Sequence, residues 1–248
     1  MFSGTIDPTR DRRTDAILAT LVDRFSGPFR ILELGSGPGP LTERMLECFP
    51  KCQVVALDTD PVLLKVGEVA LRRFQDRTTW VLADLRDRDW ASALPFPQFD
   101  TAVSSLTLHW LEEREIRTLY RDLHELLRPR GWLVEGDFLP LRPSGKPLKR
   151  PSRTKVPPRG TDRNSGGLRE FKDQWGEWWD ALASASSMRA SLRERRVRLP
   201  GPVPPRRTSG PKTPAPLESH FEALRDAGFQ ETAVVWQDKG FRVLVAVR

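Results

Sequence analysis

Cysteine is nearly missing from this 248-residue chain, which has only Cys48 and Cys52. Their C-x3-C spacing has no second Cys/His pair beside it, so it does not make a zinc site. The two are expected to be small buried or half-buried thiols, Cys48 late on a helix and Cys52 near the start of a strand. Long apolar runs are missing too. None approaches the roughly 18 residues that a membrane-spanning helix needs, and Met1 to Asp7 has neither the basic start nor the apolar core of a signal peptide. The expectation is a cytoplasmic protein without membrane contact. A chain of this size buries roughly 70–75% of its unfolded surface, enough for one core, so one domain with an insertion is expected.

Two phosphate-binding signatures are also lacking. The glycines of Ile31-Leu32-Glu33-Leu34-Gly35-Ser36-Gly37-Pro38-Gly39 fall on alternate positions and Pro40 follows, so the dinucleotide fingerprint G-x-G-x-x-G fails. No Gly-Lys-Ser/Thr follows either, which excludes a P-loop. What remains is an apolar run, a carboxylate and a glycine turn. The run suits a buried parallel strand, and the glycines let the backbone turn sharply and approach a ligand. Glu33 would repel a phosphate and suits a ligand with a cationic end. A second apolar run, Val54 to Leu57, ends in Asp58, 19 positions after Gly39. An acid so placed can accept hydrogen bonds from both ribose hydroxyls. Runs ending at Asp84 and at Ser104-Ser105 follow.

The stretches ILELGSGPG, VVALDTD, VLADLRD, FDTAVSSLTLHWL and LLRPRGWLVEGD stand in one order and spacing over roughly residues 10–140. In this the chain resembles the class I S-adenosylmethionine-dependent methyltransferases. The resemblance implies a Rossmann-like α/β fold, a seven-stranded mostly parallel sheet with an antiparallel C-terminal strand, and S-adenosylmethionine as cofactor. By resemblance, Gly35, Ser36, Gly37 and Gly39 border its methionine part and Glu33 meets its ammonium or holds the loop. Asp58 takes the ribose and Thr59 flanks the adenine. Asp84 accepts from the adenine amino group, or merely caps a helix, and Leu85 packs beside the ring. Ser104, Ser105 and Leu106 end strand four beside the expected methyl group.

His109 is read either as a general base or as a packing histidine. Asp137, at the end of strand five, is a second candidate base or substrate anchor; Phe138 follows it where related sequences often carry His, which puts an Asp-His mechanism in doubt. Arg10, Arg12 and Arg13 read mainly as a solvated charge run, and His124 and His220 as structural.

Strands are expected at 30–34, 53–57, 79–82, 99–104, 132–138, 232–237 and 241–247, and helices at 11–26, 41–49, 61–74, 112–127 and 217–227, with a short one from 87. This alternation predicts right-handed crossovers. The organisation is a cofactor-binding core over 1–139, an insertion over 140–216, and a return to the core over 217–248. The insertion is proline- and arginine-rich around one or two helices between Phe171 and Leu199, where Trp175, Trp178 and Trp179 serve as packing face or pocket lining. Loops at the carboxyl ends of the strands cover the ligand crevice, so the insertion reads as a helical lid. Residues 141–212 hold 18 Lys+Arg and 6 Asp+Glu, a net charge of +12 in a chain whose total is +7.

The expected function is methyl transfer to a small-molecule acceptor by a monomer or homodimer. Strand four ends in Ser-Ser-Leu-Thr, not in Asn/Asp-Pro-Pro-Tyr, which counts against amide or base-nitrogen methylation, and no cysteine lies there for pyrimidine carbon-5 chemistry. Two other readings stand beside it. One is an RNA or nucleotide-linked methyltransferase, using the basic segment with Arg193-Glu194-Arg195-Arg196 for phosphate contacts. The other is a non-catalytic cofactor-binding domain.

Overall fold

The computed structural model describes residues 10–142, 176–201 and 213–248. Seven strands form one sheet: β1 (Arg30–Leu34), β2 (Gln53–Asp58), β3 (Thr78–Leu82), β4 (Phe99–Ser105), β5 (Leu127–Phe138), β6 (Glu231–Asp238) and β7 (Phe241–Val247). Their order is β3-β2-β1-β4-β5-β7-β6. The first five run parallel, and β7 lies antiparallel between β5 and β6. The direction of crossover reverses between β1 and β4, so a crevice opens where their carboxyl ends diverge.

The helices have local causes. Pro40 starts α2 (Pro40–Cys48) where its missing N–H costs nothing. Asp60 caps α3 (Pro61–Ala70), its Oδ1 accepting from the Val62 N–H at 2.9 Å. Glu112 and Glu115 form a capping box on α4 (Glu113–Leu126). α1 (Arg10–Arg24) opens the described chain, and α7 (Leu217–Ala227) ends at Gly228 in the left-handed region, φ 100°. Between β5 and α7 lie a helix over 176–184, here α5, and α6 (Arg189–Arg198), separated by a 3-10 turn at Ser186–Met188.

Alternation along the strands sends one set of side chains to each sheet face. Ile31, Val54, Val103 and Val134 pack with Ile17, Leu21 and Met45 of α1 and α2. Leu32, Leu57, Ala102 and Leu133 pack with Leu119, Leu123 and Leu224 of α4 and α7. A side chain buried this fully contributes roughly 1.5–3 kcal/mol. The chain leaves the sheet after β5 and returns at α7, and the two ends of this excursion meet. The Leu217 N–H donates to the Pro140 carbonyl at 2.8 Å, and the Arg142 N–H to Glu218 Oε2 at 2.8 Å.

Several expectations need correction. Arg13 is not part of a solvated run: it is 1% exposed, with Nε 3.4 Å from Ser105 Oγ and its guanidinium over the Phe241 ring. Gly136 makes room for it, since a Cβ there would lie 3.1 Å from the Arg13 chain. Cys48 is exposed, while Cys52 is buried. Strand five starts at Leu127, not 132, because Leu127 pairs with Phe99 before a register shift, and Arg130 takes φ 62° at the irregularity. Helix three stops at Ala70 and a 3-10 turn, Arg72–Arg77, follows. His220 lies inside α7 and bonds to the Tyr120 hydroxyl at 2.6 Å, which in turn lies 2.6 Å from Glu135 Oε2. Trp175 and most of the proline-rich stretches fall outside the described residues.

Candidate active site

A cavity of about 610 Å³ opens at the carboxyl ends of β1, β2, β3 and β4, and α6 closes one side of it. Its wall includes Gly35, Gly37, Asp58, Thr59, Asp84 and Leu85, six of the residues that the sequence pointed to. The volume suits a ligand of cofactor size.

The β1–α2 turn is shaped by two glycines that act differently. Gly35 has φ 68°, and a Cβ there would lie 2.2 Å from the Thr107 side chain, so the turn and the β4 tip touch backbone to side chain. Gly37 has φ 55° and nothing within 4 Å of where a Cβ would stand: its backbone borders open space. The Gly37 N–H donates to Asp58 Oδ2 at 2.8 Å, and the Asp60 N–H to Asp58 Oδ1 at 2.9 Å. Asp58 therefore ties the glycine turn to the start of α3. A carboxylate has about four acceptor positions, so these bonds leave room for a ligand hydroxyl. Burial raises its pKa to about 6, against the opposing backbone hydrogen bonds.

Glu33 sits behind that wall, on the α1/α2 side. It is 2% exposed, and Oε2 accepts from Thr42 Oγ1 of α2 at 2.5 Å. Burial pushes its carboxyl up to about 8; the Thr42 bond opposes the shift and the Asp58 charge adds to it. Glu33 thus braces the turn from beneath. Ser36 and Gly39 complete the turn, the Gly39 N–H donating to the Ser36 carbonyl at 3.0 Å. Asp84 is held by Arg86, whose Nε lies 2.9 Å and Nη2 2.5 Å from its oxygens. Burial works against its ionisation, yet Arg86 keeps its carboxyl below the ordinary value.

At the β4 tip, Leu106 takes φ 55°, an uncommon conformation for a branched side chain. The bond from its N–H to the Gly136 carbonyl at 3.0 Å fixes it there. The 3-10 turn Leu108–Trp110 follows, and Thr107 and Trp110 on either side of His109 line the cavity. His109 Nδ1 lies 2.8 Å from Asp137 Oδ1, and the His109 N–H donates to Asp137 Oδ2 at 3.1 Å. The side chains are 11% and 0% exposed. The two residues singled out separately as candidate bases are one pair, so Phe138 in place of a histidine does not deprive Asp137 of an imidazole. A carboxylate on Nδ1 favours the tautomer with its proton there and leaves Nε2 free to accept one. Ser104 is buried beneath, in register with Glu135.

Sequence reasoning missed Thr107 as a cavity residue, took Trp110 only as the neighbour of His109 past the strand-four tip, and took Arg195 only as a phosphate contact. Arg195 is 3% exposed and pairs through Nε with Asp60 Oδ2 at 2.7 Å, and Arg198, which also lines the cavity, pairs with Glu194. The arginine cluster expected to face phosphates is thus partly turned inward.

Residues 32–133 match the family model described as "Methyltransferase domain". A malonyl-[acyl-carrier protein] O-methyltransferase of Halorhodospira halophila is 32% identical over 134 residues, covering 51% of this chain and 40% of that protein. A trans-aconitate 2-methyltransferase of Mycobacterium tuberculosis is 36% identical over 112 residues, covering 44% of this chain and 38% of that protein. The matches therefore span about two-fifths of these relatives' lengths. Among solved structures, the S-adenosylmethionine-dependent methyltransferase SibL superposes with TM-score 0.57 at 16% identity, over 96% of this chain and 55% of that one. An O-methyltransferase family protein from Burkholderia thailandensis gives TM-score 0.60 at 13% identity, over 97% and 56%.

Proposed function

We propose that the chain is a class I, S-adenosylmethionine-dependent methyltransferase, as its match to a methyltransferase domain model and its likeness to named methyltransferases support, and that it transfers a methyl group to a nucleophilic atom of a small-molecule acceptor. The observation that supports this most directly is the join of two halves at one cavity. Asp58, Gly37 and Asp84 form one part of its wall, and Thr107 and Trp110, which flank the Asp137-paired His109, form another.

The residues fit the cofactor. Gly37 leaves the space that a Cβ would fill, Asp58 keeps acceptor capacity for ribose hydroxyls, and Asp84 and Leu85 offer an acceptor and an apolar surface for a purine. When bound, S-adenosylmethionine supplies a methyl group already activated on a sulfonium. The protein then has to position the partners, worth up to roughly 7–11 kcal/mol, and to take a proton where the acceptor carries one. On this reading His109 takes that proton. Its Nε2 accepts from the O–H or N–H of the acceptor, and Asp137 stabilises the imidazolium that forms. An ionised acceptor such as a carboxylate has no proton to give up, and towards it the pair serves as an anchor rather than a base. Trp110 and Leu111 give the acceptor side apolar cover against water.

The test is calorimetric titration of S-adenosylmethionine and S-adenosylhomocysteine into wild type and Asp58→Ala. Saturable binding that the variant loses supports the reading and opens an acceptor screen. A folded wild type that binds neither ligand refutes it. The relatives' names make malonyl- and aconitate-type acids the first acceptors to screen.

A further inference from the structure

Arg195 presents an unusual buried charge. It comes from α6, 135 positions after its partner Asp60, and the two side chains are 4% and 5% exposed. Asp60 Oδ1 is occupied by the Val62 N–H, and Asp60 Oδ2 accepts Arg195 Nε at 2.7 Å. The guanidinium plane lies 5.1 Å over the Trp179 ring. Arg195 Nη1 is buried and has no hydrogen-bond partner among the described residues. Leaving a buried charged donor unmade costs free energy, so the site is short of one acceptor.

The position says which acceptor would complete it. Arg195 lines the cavity together with Asp58, Thr59, Asp60 and Leu63, and α6 packs against α3, beside the end where the ribose and purine are placed above. The carboxylates of Asp58 and Asp84 in this wall accept hydrogen bonds. They suit the hydroxyl and amino donors of a nucleoside; for its oxygen and ring-nitrogen acceptors the wall offers Arg86 and Arg198, which pair with Asp84 and Glu194, and Arg195. Arginine is the complementary group, a rigid fork whose Nε can hold one partner while an Nη reaches another.

We infer that Arg195 is a nucleoside-recognition residue supplied by the segment between β5 and α7: Nε grips Asp60, and on binding the guanidinium shifts to bring the now buried Nη1 to the cavity, where it donates to an acceptor atom of the bound adenosine. This rests on the reading that S-adenosylmethionine occupies the cavity. Asp60 then serves twice, capping α3 and anchoring the arginine, and the inserted segment takes part in cofactor binding as well as in covering the acceptor.

Calorimetric titration of S-adenosylhomocysteine and of 5′-methylthioadenosine, which lacks the amino-acid end, into wild type, Arg195→Met and Arg195→Lys tests this. Both variants should weaken each ligand by about 10-fold to 100-fold, the worth of a hydrogen bond from a charged donor, and by similar factors. Thermal melts without ligand establish folding; should the methionine variant fail to fold, the lysine variant, which keeps a charge beside Asp60, decides. Folded variants that bind both ligands within about twofold of wild type overturn the inference alone. So does a loss confined to S-adenosylhomocysteine, which would place Arg195 at the amino-acid end. A wild type that binds neither ligand overturns the cofactor reading and the inference together.

Discussion

Replacing Glu33 with glutamine removes one buried titration from the fold and leaves its shape and its bond from Thr42 in place. The wild-type carboxyl is 2% exposed, and burial raises its pKa from 4.5 to about 8. Between those values the folded protein holds a proton that the unfolded chain has released. Fewer protons on the unfolded state means that stability falls as pH rises, by about 1.4 kcal/mol for each unit at full difference. Below pH 4.5 the group is neutral in both states and contributes nothing; above about 8 its full penalty is present. Over that window the loss is several kcal/mol, about 5 as an upper figure, a large share of a typical domain's total stability. Glu33→Gln has no such slope. Urea unfolding of both proteins at pH 5, 6, 7 and 8 should therefore show a difference near zero at the acid end that widens in the variant's favour towards pH 8. Asp58 titrates in the same direction, towards about 6, but it does so in both proteins and largely cancels in the difference. Parallel stability profiles would refute the account of Glu33 as a buried, mostly neutral brace.

His109→Ala should lower kcat by about 10²-fold to 10⁴-fold, the range for a general base, with S-adenosylhomocysteine affinity almost unchanged; a parallel loss of affinity would argue for packing instead. Asp137→Asn should also lower kcat, since the imidazole loses the carboxylate that orients it; a kcat equal to wild type counts against the pair acting together. Gly35→Ala should destabilise by more than about 1 kcal/mol, because φ is 68° and Thr107 fills the Cβ position; chemical denaturation equal to wild type would contradict that contact. Tyr120→Phe should cost about 1–3 kcal/mol by stripping Glu135 Oε2 and His220 Nδ1 of their shared hydroxyl, and an unchanged midpoint in urea would refute the network.

The parts of this molecule legible from sequence are those whose signals are short in range. The strand–glycine–helix unit at 30–48, the acid that ends β2 and the acid just past β3 each carry their own local signature. Those acids meet in one cavity because parallel strands in sequence place their carboxyl ends together. The contacts that were missed span the chain. Nothing near Arg195 announces Asp60, and the cluster around it is rich enough in charge to resemble a solvated face. His109 and Asp137 were both visible, but their pairing depends on β4 and β5 being neighbours in register. Arg13 did leave a trace: it stands four positions before Ile17 and eight before Leu21, which places it on the buried stripe of α1. Glu135 likewise alternates with Leu133 on a core-facing side of β5. In both cases periodicity held the answer, and the polarity of the residue argued against it.

The hydrogen bonds that join Pro140 to Leu217 and Arg142 to Glu218 give the excursion between them the character of a socket. Both strands of the junction are fixed by the core, so the sheet senses only where the excursion leaves and returns. Closing a longer or shorter loop across that junction changes its entropy slowly, by about 0.6 kcal/mol for each doubling of length. A protein built this way can exchange the covering segment for another while the sheet, the glycine turn and the His109–Asp137 pair stay as they are. On the proposed reading, new acceptor preferences are then open to it through replacement at a single place. The exception is Arg195, whose buried bond to Asp60 ties the segment to the start of α3 and which any replacement would have to reproduce or do without.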